Sequence, residues 1–180
     1  MKMKFNIHNL ETASVESKPL LEKSLAGFGM IPNLHGVLAE SPAVLQAYQE
    51  LTGLFQKTSF DKEEITVVWQ TINSEHECHY CLPAHTAVAH SMGVDGDVIE
   101  ALSKKQELPN QKLKVLQETT LSLVKNRGKI SEAEINKFTE ACYNQQHVLE
   151  IILGISHKVI SNYVNHLAQT PLDEPFKKFA

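Results

Sequence analysis

Along most of the chain, apolar residues recur at intervals of three and four, the spacing that lines up one face of an α-helix. Over residues 15–28, Leu20, Leu21 and Leu25 mark a first amphipathic helix, with Gly27 and Gly29 ending it. Pro32 opens a short second helix over 33–40. Ser41 as N-cap and Pro42 in the first turn then start a third, which carries Val44, Leu45, Tyr48 and Leu51. Asp61, Glu63 and Glu64 suit the start of a fourth helix through Ile65, Val68, Trp69 and Ile72, with a break expected near Asn73 and Ser74. A fifth helix is expected from about Cys78 to Gly93, a short one over 97–102, and a longer one from Pro109 to about Asn126. Ser131-x-x-Glu134 reads as a capping box, and residues 145–167 form a long, strongly apolar helix. No period-two alternation flanked by hairpin turns competes with this pattern. The expected fold class is all-α, as one single-domain helical bundle over residues 1–180, without linker or low-complexity run.

Composition narrows the function classes. With 180 residues and 42% hydrophobic content, the chain can bury a sizeable core. A net charge of −4, with Lys104-Lys105 as the longest basic run, leaves no footprint for nucleic acid or an anionic membrane. Asn6, His8, Asn9 and Glu11 interrupt any apolar stretch of a secretory leader, and no run of roughly 18 apolar residues suggests a membrane span. Three cysteines, Cys78, Cys81 and Cys142, are too few for a disulfide framework, so a cytoplasmic location is expected.

Candidate chemistry concentrates in Cys78-His79-Tyr80-Cys81-Leu82-Pro83-Ala84-His85. Cys78 and Cys81 are three apart, close enough for a disulfide within one turn, and Cys81 and His85 are four apart on one helical face. A helix start favours thiolate through its free N–H groups and dipole, and an imidazole can accept the thiol proton. An activated thiolate, a resolving thiol and a base are the parts of a redox site. Two other readings stand beside it. C-x-x-C can ligate zinc with His76, His79 or His85, although a second ligand pair is missing. Both thiols could also simply pack in a core. Trp69 and Tyr80 read as core or pocket-wall residues, His76 and His79 as exposed, and Cys142 as a buried structural thiol.

These motifs, with their flanks, resemble the AhpD-like branch of the carboxymuconolactone decarboxylase superfamily, in particular its peroxidase-related subgroup. Matching stretches are Gly27-Phe28-Gly29-Met30-Ile31-Pro32-Asn33-Leu34, Leu38-Ala39-Glu40-Ser41-Pro42, the Cys78/Cys81/His85 motif, Ser161-Asn162-Tyr163-Val164-Asn165-His166 and Thr170-Pro171-Leu172-Asp173. They span residues 18–176 as the core of the domain, with 1–17 as an N-terminal segment. The resemblance implies an all-helical fold assembling as trimers or hexamers. It also implies reduction of a small peroxide by a dithiol/disulfide cycle that an external dithiol regenerates, without cofactor or metal. Cys81 would be the peroxidatic thiol, Cys78 the resolving one and His85 part of a proton relay. The relay glutamate usual in the family falls twelve residues before Cys78, where this chain has Thr66. Glu63, one turn earlier, and Glu64 are the substitutes expected. A redox-sensing or binding oligomer without turnover is the alternative, followed by a zinc protein or a lactone decarboxylase, though true decarboxylases generally lack the cysteine pair.

Overall fold

A computed structural model describes residues 4–180. The described residues form helices α1 (Lys18–Phe28), α2 (Asn33–Leu38), α3 (Pro42–Phe55), α4 (Lys62–Glu75) and α5 (Cys81–Ser91), followed by α6 (Gly96–Ser103), α7 (Gln111–Lys125), α8 (Glu132–Glu140) and α9 (Gln145–Ala168), with a closing 3-10 turn at Glu174–Phe179. No strand occurs among them, so the all-α expectation holds.

Local chemistry sets the helix ends. A reciprocal capping box starts α4: the Asp61 carboxylate accepts the Glu64 N–H at 2.8 Å, and the Glu64 carboxylate accepts the Asp61 N–H at 3.0 Å. Ser131 and Glu134 make the same box for α8, as their spacing indicates. Pro42 opens α3, but the Ser41 side chain makes no cap bond. At the end of α1 the chain turns through Gly29 in the left-handed region, φ 71°, while Gly27 remains helical.

The expected break at Asn73-Ser74 does not occur, because the Asn73 side chain is anchored inside the bundle. Its amide donates to Gln70 Oε1 at 2.9 Å and its carbonyl accepts from Asn162 at 3.0 Å. The helix runs instead to Glu75, and the chain turns at Glu77, φ 50°, where the Cys78 N–H returns to the Asn73 carbonyl at 3.0 Å. Cys78 therefore lies in the turn, and α5 begins only at Cys81. Cys142 also differs from expectation. It is exposed with φ 67°, because it makes the turn after α8 while the next residue, Tyr143, takes the buried place.

Helix α4 is the axis of the fold, buried continuously from Glu64 to Asn73 and packed by α5, α7 and α9. Phe55, Val67, Val68, Trp69, Ile72, Leu116 and Ile151 belong to one apolar cluster around it. A second cluster, with Leu21, Leu34, Leu45 and Tyr80, encloses Cys78 and Cys81. Residues ahead of α1 join it through Leu10 and Ala13, and the His8 N–H donates to the Gly36 carbonyl at 3.0 Å. Gly154 brings α9 close to α3 and α4: a Cβ there would stand 2.7 Å from the Phe55 ring and 3.1 Å from Val68. No helix among the described residues is long and apolar enough to cross a membrane.

Candidate active site

The two thiols meet where the start of α5 faces α9. Cys78 is 0% exposed and Cys81 2%. As the first residue of α5, Cys81 has a free N–H, which donates to Cys78 Sγ at 3.2 Å. From α9, Asn165 Nδ2 donates to Cys81 Sγ at 3.3 Å and lies 3.9 Å from Cys78 Sγ. Lys158, one of the fully buried residues of the chain, donates from Nζ to His85 Nε2 at 2.6 Å.

This arrangement polarises the pair. Burial pushes the Cys81 thiol up, but the Cys78 thiol hydrogen bond, the Lys158 charge and donors from Asn165 and Ser161 outweigh it. The net result is lowered to about 5. Cys78 goes the other way, because its proton is held in the bond to Cys81 and because it is buried beside that negative charge. One proton shared by two thiols thus rests on Cys78, and the thiolate on Cys81. Lys158 is pulled down by burial and back up by the two sulfurs. Burial and then the Lys158 charge keep His85 well below its ordinary range, so its imidazole is neutral. Since Lys158 donates to Nε2, the imidazole proton is assigned to Nδ1.

The sequence-derived residues are not all brought together. Cys78 and Cys81 adjoin as expected. His85 is bonded to Lys158, whose charge acts on Cys81, and it has no hydrogen bond of its own to Cys81 Sγ among the described contacts. Glu63 sits at the opposite end of α4, 3.7 Å from Lys62 Nζ and accepting the Asp95 N–H at 3.4 Å. Glu64 is engaged by its capping box, by the Tyr143 hydroxyl at 2.8 Å and by Lys112 at 2.8 Å. Neither carboxylate reaches His85. Thr66 closes onto its own helix, donating to the Lys62 carbonyl at 2.8 Å.

Lys158, Ser161 and Asn165 were not found among the sequence candidates for catalysis. Their signal was present: polar residues at 158, 161, 162 and 165 form a stripe at helical spacing inside an apolar helix, and all four are 0% exposed.

The C-terminal segment holds the other side of the motif. The Tyr80 hydroxyl donates to Asp173, whose carboxylate also accepts the Asn33 N–H at 3.1 Å. His79 donates to the Thr170 carbonyl at 3.0 Å and His76 pairs with Asn162 Oδ1 at 2.8 Å. His79 is exposed, as expected, while His76 is half-buried. Among the described residues, no group of three or more His, Cys, Asp or Glu side chains is placed to hold a metal ion.

A cavity of about 370 Å³ opens beside His85 and Tyr80, with neither Cys78 nor Cys81 in its lining. Its walls include Phe28, His35, Tyr48, Trp69, His85 and His157. His85 therefore bonds the buried lysine and faces the cavity.

No family model matches the sequence, and no curated protein matches it. Solved structures do. The chain superposes on a peroxidase-related protein from Ralstonia eutropha JMP134, described as an alkylhydroperoxidase AhpD core, with a TM-score of 0.83 at 16% identity. That match covers 98% of this chain and 95% of the other. It superposes on a peroxidase-related protein from Silicibacter sp. TM1040 with a TM-score of 0.82 at 17% identity, covering 99% and 95%. A third match is the debrominase Bmp8, in complex with 2,3,4-tribromopyrrole, with a TM-score of 0.81 at 12% identity, covering 99% and 96%. The chain has the AhpD-like, peroxidase-related fold.

Proposed function

We propose that this protein is a thiol-dependent oxidoreductase of the peroxidase-like kind, reducing a small peroxide with the Cys78/Cys81 pair. The observation that carries this reading is a buried Cys81 thiol lowered to about 5, with the Asn165 amide donating to its Sγ at 3.3 Å, a second thiol in hydrogen-bonding contact and the charge of the buried Lys158 acting on it. A buried lysine is costly unless an anion balances it, and the Cys81 thiolate is the anion at hand.

The chemistry follows from these parts. The Cys81 thiolate attacks one oxygen of ROOH, the O–O bond breaks, and Cys81 becomes a sulfenic acid. The leaving RO⁻ takes a proton from Lys158, which His85 holds in place, and departs as ROH. The Cys78 thiol then condenses with the sulfenic acid, releasing water and forming the Cys78–Cys81 disulfide. An external dithiol reduces that bridge by exchange and becomes a disulfide itself. Overall, one peroxide and one dithiol give an alcohol, water and one disulfide. Glu63 has no part in this scheme. The thiol reductants of the cytoplasm suit such a cycle. Assembly as a trimer or hexamer is part of the reading, supported by Leu149, Ile152, Tyr163 and Leu167, which stand exposed along α9.

A redox sensor that is oxidised once, without turnover, is separated from this reading by counting. With dithiothreitol in excess, cumene hydroperoxide consumption is expected to continue for many equivalents per chain. Consumption that stops after about one equivalent would rule out the enzyme and leave the sensor.

A further inference from the structure

A disulfide is exchanged only by a thiolate that reaches one of its sulfurs. Cys78 and Cys81 are both buried, and neither lines the cavity beside Tyr80 and His85. Some part of the wall around the pair must therefore open before an external dithiol can act.

Most of the apolar cluster that encloses the thiols comes from α-helices, each held by its own repeating hydrogen bonds. Two stretches outside the α-helices also pack on it: the N-terminal segment through Leu10 and Ala13, and residues 170–179 through Leu172 and Phe176. Among the described hydrogen bonds, the second stretch alone is tied to the motif, and it is tied to both residues between the cysteines. His79 Nε2 donates to the Thr170 carbonyl at 3.0 Å, and the Tyr80 hydroxyl donates to the buried carboxylate of Asp173. That carboxylate also accepts the Asn33 N–H at the start of α2, at 3.1 and 3.2 Å from its two oxygens. Asn33 Nδ2 donates in turn to the Pro171 carbonyl at 3.0 Å.

Beyond these anchors the stretch rests on ring contacts. Phe176 meets Tyr80 edge to face at 6.3 Å, and both line the cavity; Phe179 stacks on His90 of α5 at 5.2 Å. The turn Glu174–Phe179 contains no buried residue. A chain end held by a few polar bonds and little buried surface opens at lower free energy than the core helices behind it.

We infer that residues 170–179 are a lid over the Cys78/Cys81 pair, latched by Tyr80 and Asp173, and that the lid opens to admit the external dithiol. The inference rests on the reading of the pair as a redox centre, and it makes Tyr80 and Asp173 positioning residues for the reducing half of the cycle. In that half, a thiolate of the dithiol attacks one sulfur of the bridge, and the other sulfur leaves as thiolate. The second thiol of the reductant passes its proton to that thiolate and displaces the remaining sulfur. The pair ends reduced and the dithiol oxidised.

Alkylation of the reduced full chain by N-ethylmaleimide, followed by digestion and mass spectrometry, reads access to the motif thiols without any peroxide. Tyr80→Phe keeps the ring against Phe176 and removes the bond to Asp173; Asp173→Ala removes the same bond from the other side. A hydrogen bond to a charged acceptor shifts an opening equilibrium by a factor of about ten or more, so each variant is expected to raise the Cys78/Cys81 rate about tenfold. The rate at exposed Cys142 is expected to stay as it is, and the helical circular dichroism to be retained. Because both changes break one bond, the double variant is expected to be no faster than Asp173→Ala alone.

The unmodified chain supplies a further arm. The Asn33 N–H, whose acceptors are the Asp173 oxygens, is expected to exchange with deuterium about tenfold or more faster than the core amides of α4. Should either variant fail to fold, this exchange decides. Wild-type alkylation rates in the folded variants, multiplying effects in the double variant, or an Asn33 N–H as protected as α4 would each overturn the lid. Faster alkylation in both variants without any peroxide turnover would keep the lid and remove the peroxidase reading; many turnovers with unchanged alkylation would do the reverse.

Discussion

Cys81→Ser is expected to lower the rate of peroxide consumption by about a thousandfold or more, the scale seen when an enzyme loses its nucleophile. A hydroxyl in the same place cannot ionise near neutral pH and cannot form a sulfenic acid. Cys78→Ser is expected to behave differently. It should still consume about one equivalent of peroxide per chain, because the Cys81 thiolate retains Lys158 and Asn165 as partners. It should then stall as a sulfenic acid that dimedone traps, since the resolving thiol is gone. Stopped-flow consumption of hydrogen peroxide by the two variants makes the comparison. Equal rates for Cys81→Ser and the wild type would remove Cys81 as the attacking thiol.

Lys158→Met is the second variant with a large expected effect. Methionine approximates the length and volume of the lysine side chain and removes only its charge and donors. The ammonium opposes the upward push of burial on Cys81 together with the Cys78 hydrogen bond, so without it the thiol rises from about 5 towards its ordinary value of 9.0. At neutral pH a thiol at about 5 is almost fully ionised, whereas one at 9.0 is only about one per cent ionised. The thiolate population at neutral pH therefore falls, with about a hundredfold as the upper bound.

The sign of the pH dependence follows from this lowered pKa. Wild-type reactivity should be flat from about pH 6 upward and decline as pH falls through about 5. The variant's reactivity should still be rising with pH across the neutral range, where the wild type is already flat. Thiolate absorbance at 240 nm against pH measures the shift without reference to turnover. Because the exchange removes one partner of a buried pair and leaves His85 Nε2 without its donor, the melting temperature should fall. A variant with the wild-type pH profile would show that Lys158 does not set the state of Cys81.

Much of the fold was legible in the sequence because helix starts and ends are local chemistry. The Ser131/Glu134 box, the Pro42 start and the Gly29 stop each lie within a few residues of the backbone groups they satisfy. Asn73 was misread as a breaker because its partners, Gln70 and Asn162, are respectively one turn and 89 residues away. The same division applies to the site. Cys78, Cys81 and His85 stand close together in the chain, so their spacing was enough to single them out. Lys158 and Asn165 come from a helix some eighty residues further on, and only the packing of α9 against α5 brings them to the thiols. Their polar stripe lies in a helix whose pattern is dominated by apolar residues.

Glu63 and Glu64 illustrate the opposite error. Acidic residues at a helix start have a local use, and Glu64 spends its carboxylate on the Asp61 capping box and the Tyr143 hydroxyl. Where the resemblance leads one to expect a relay glutamate, His85 is bonded by a buried lysine, Lys158. In the proposed scheme the proton donor is Lys158, which bonds His85 and feels the charge of the two sulfurs.

The central claim, that Cys78 and Cys81 form one redox couple, is tested most directly by mapping the sulfurs after a single oxidation. The reduced chain would be treated with slightly less than one equivalent of hydrogen peroxide, alkylated under acid quench, digested and analysed by mass spectrometry. Cys142, exposed on the far turn of α8, is the internal control for an ordinary thiol. The expected product is a Cys78–Cys81 disulfide in nearly all oxidised chains, with Cys142 still alkylated. Oxidation appearing first at Cys142, or a Cys78/Cys81 pair that remains fully alkylated, would contradict it.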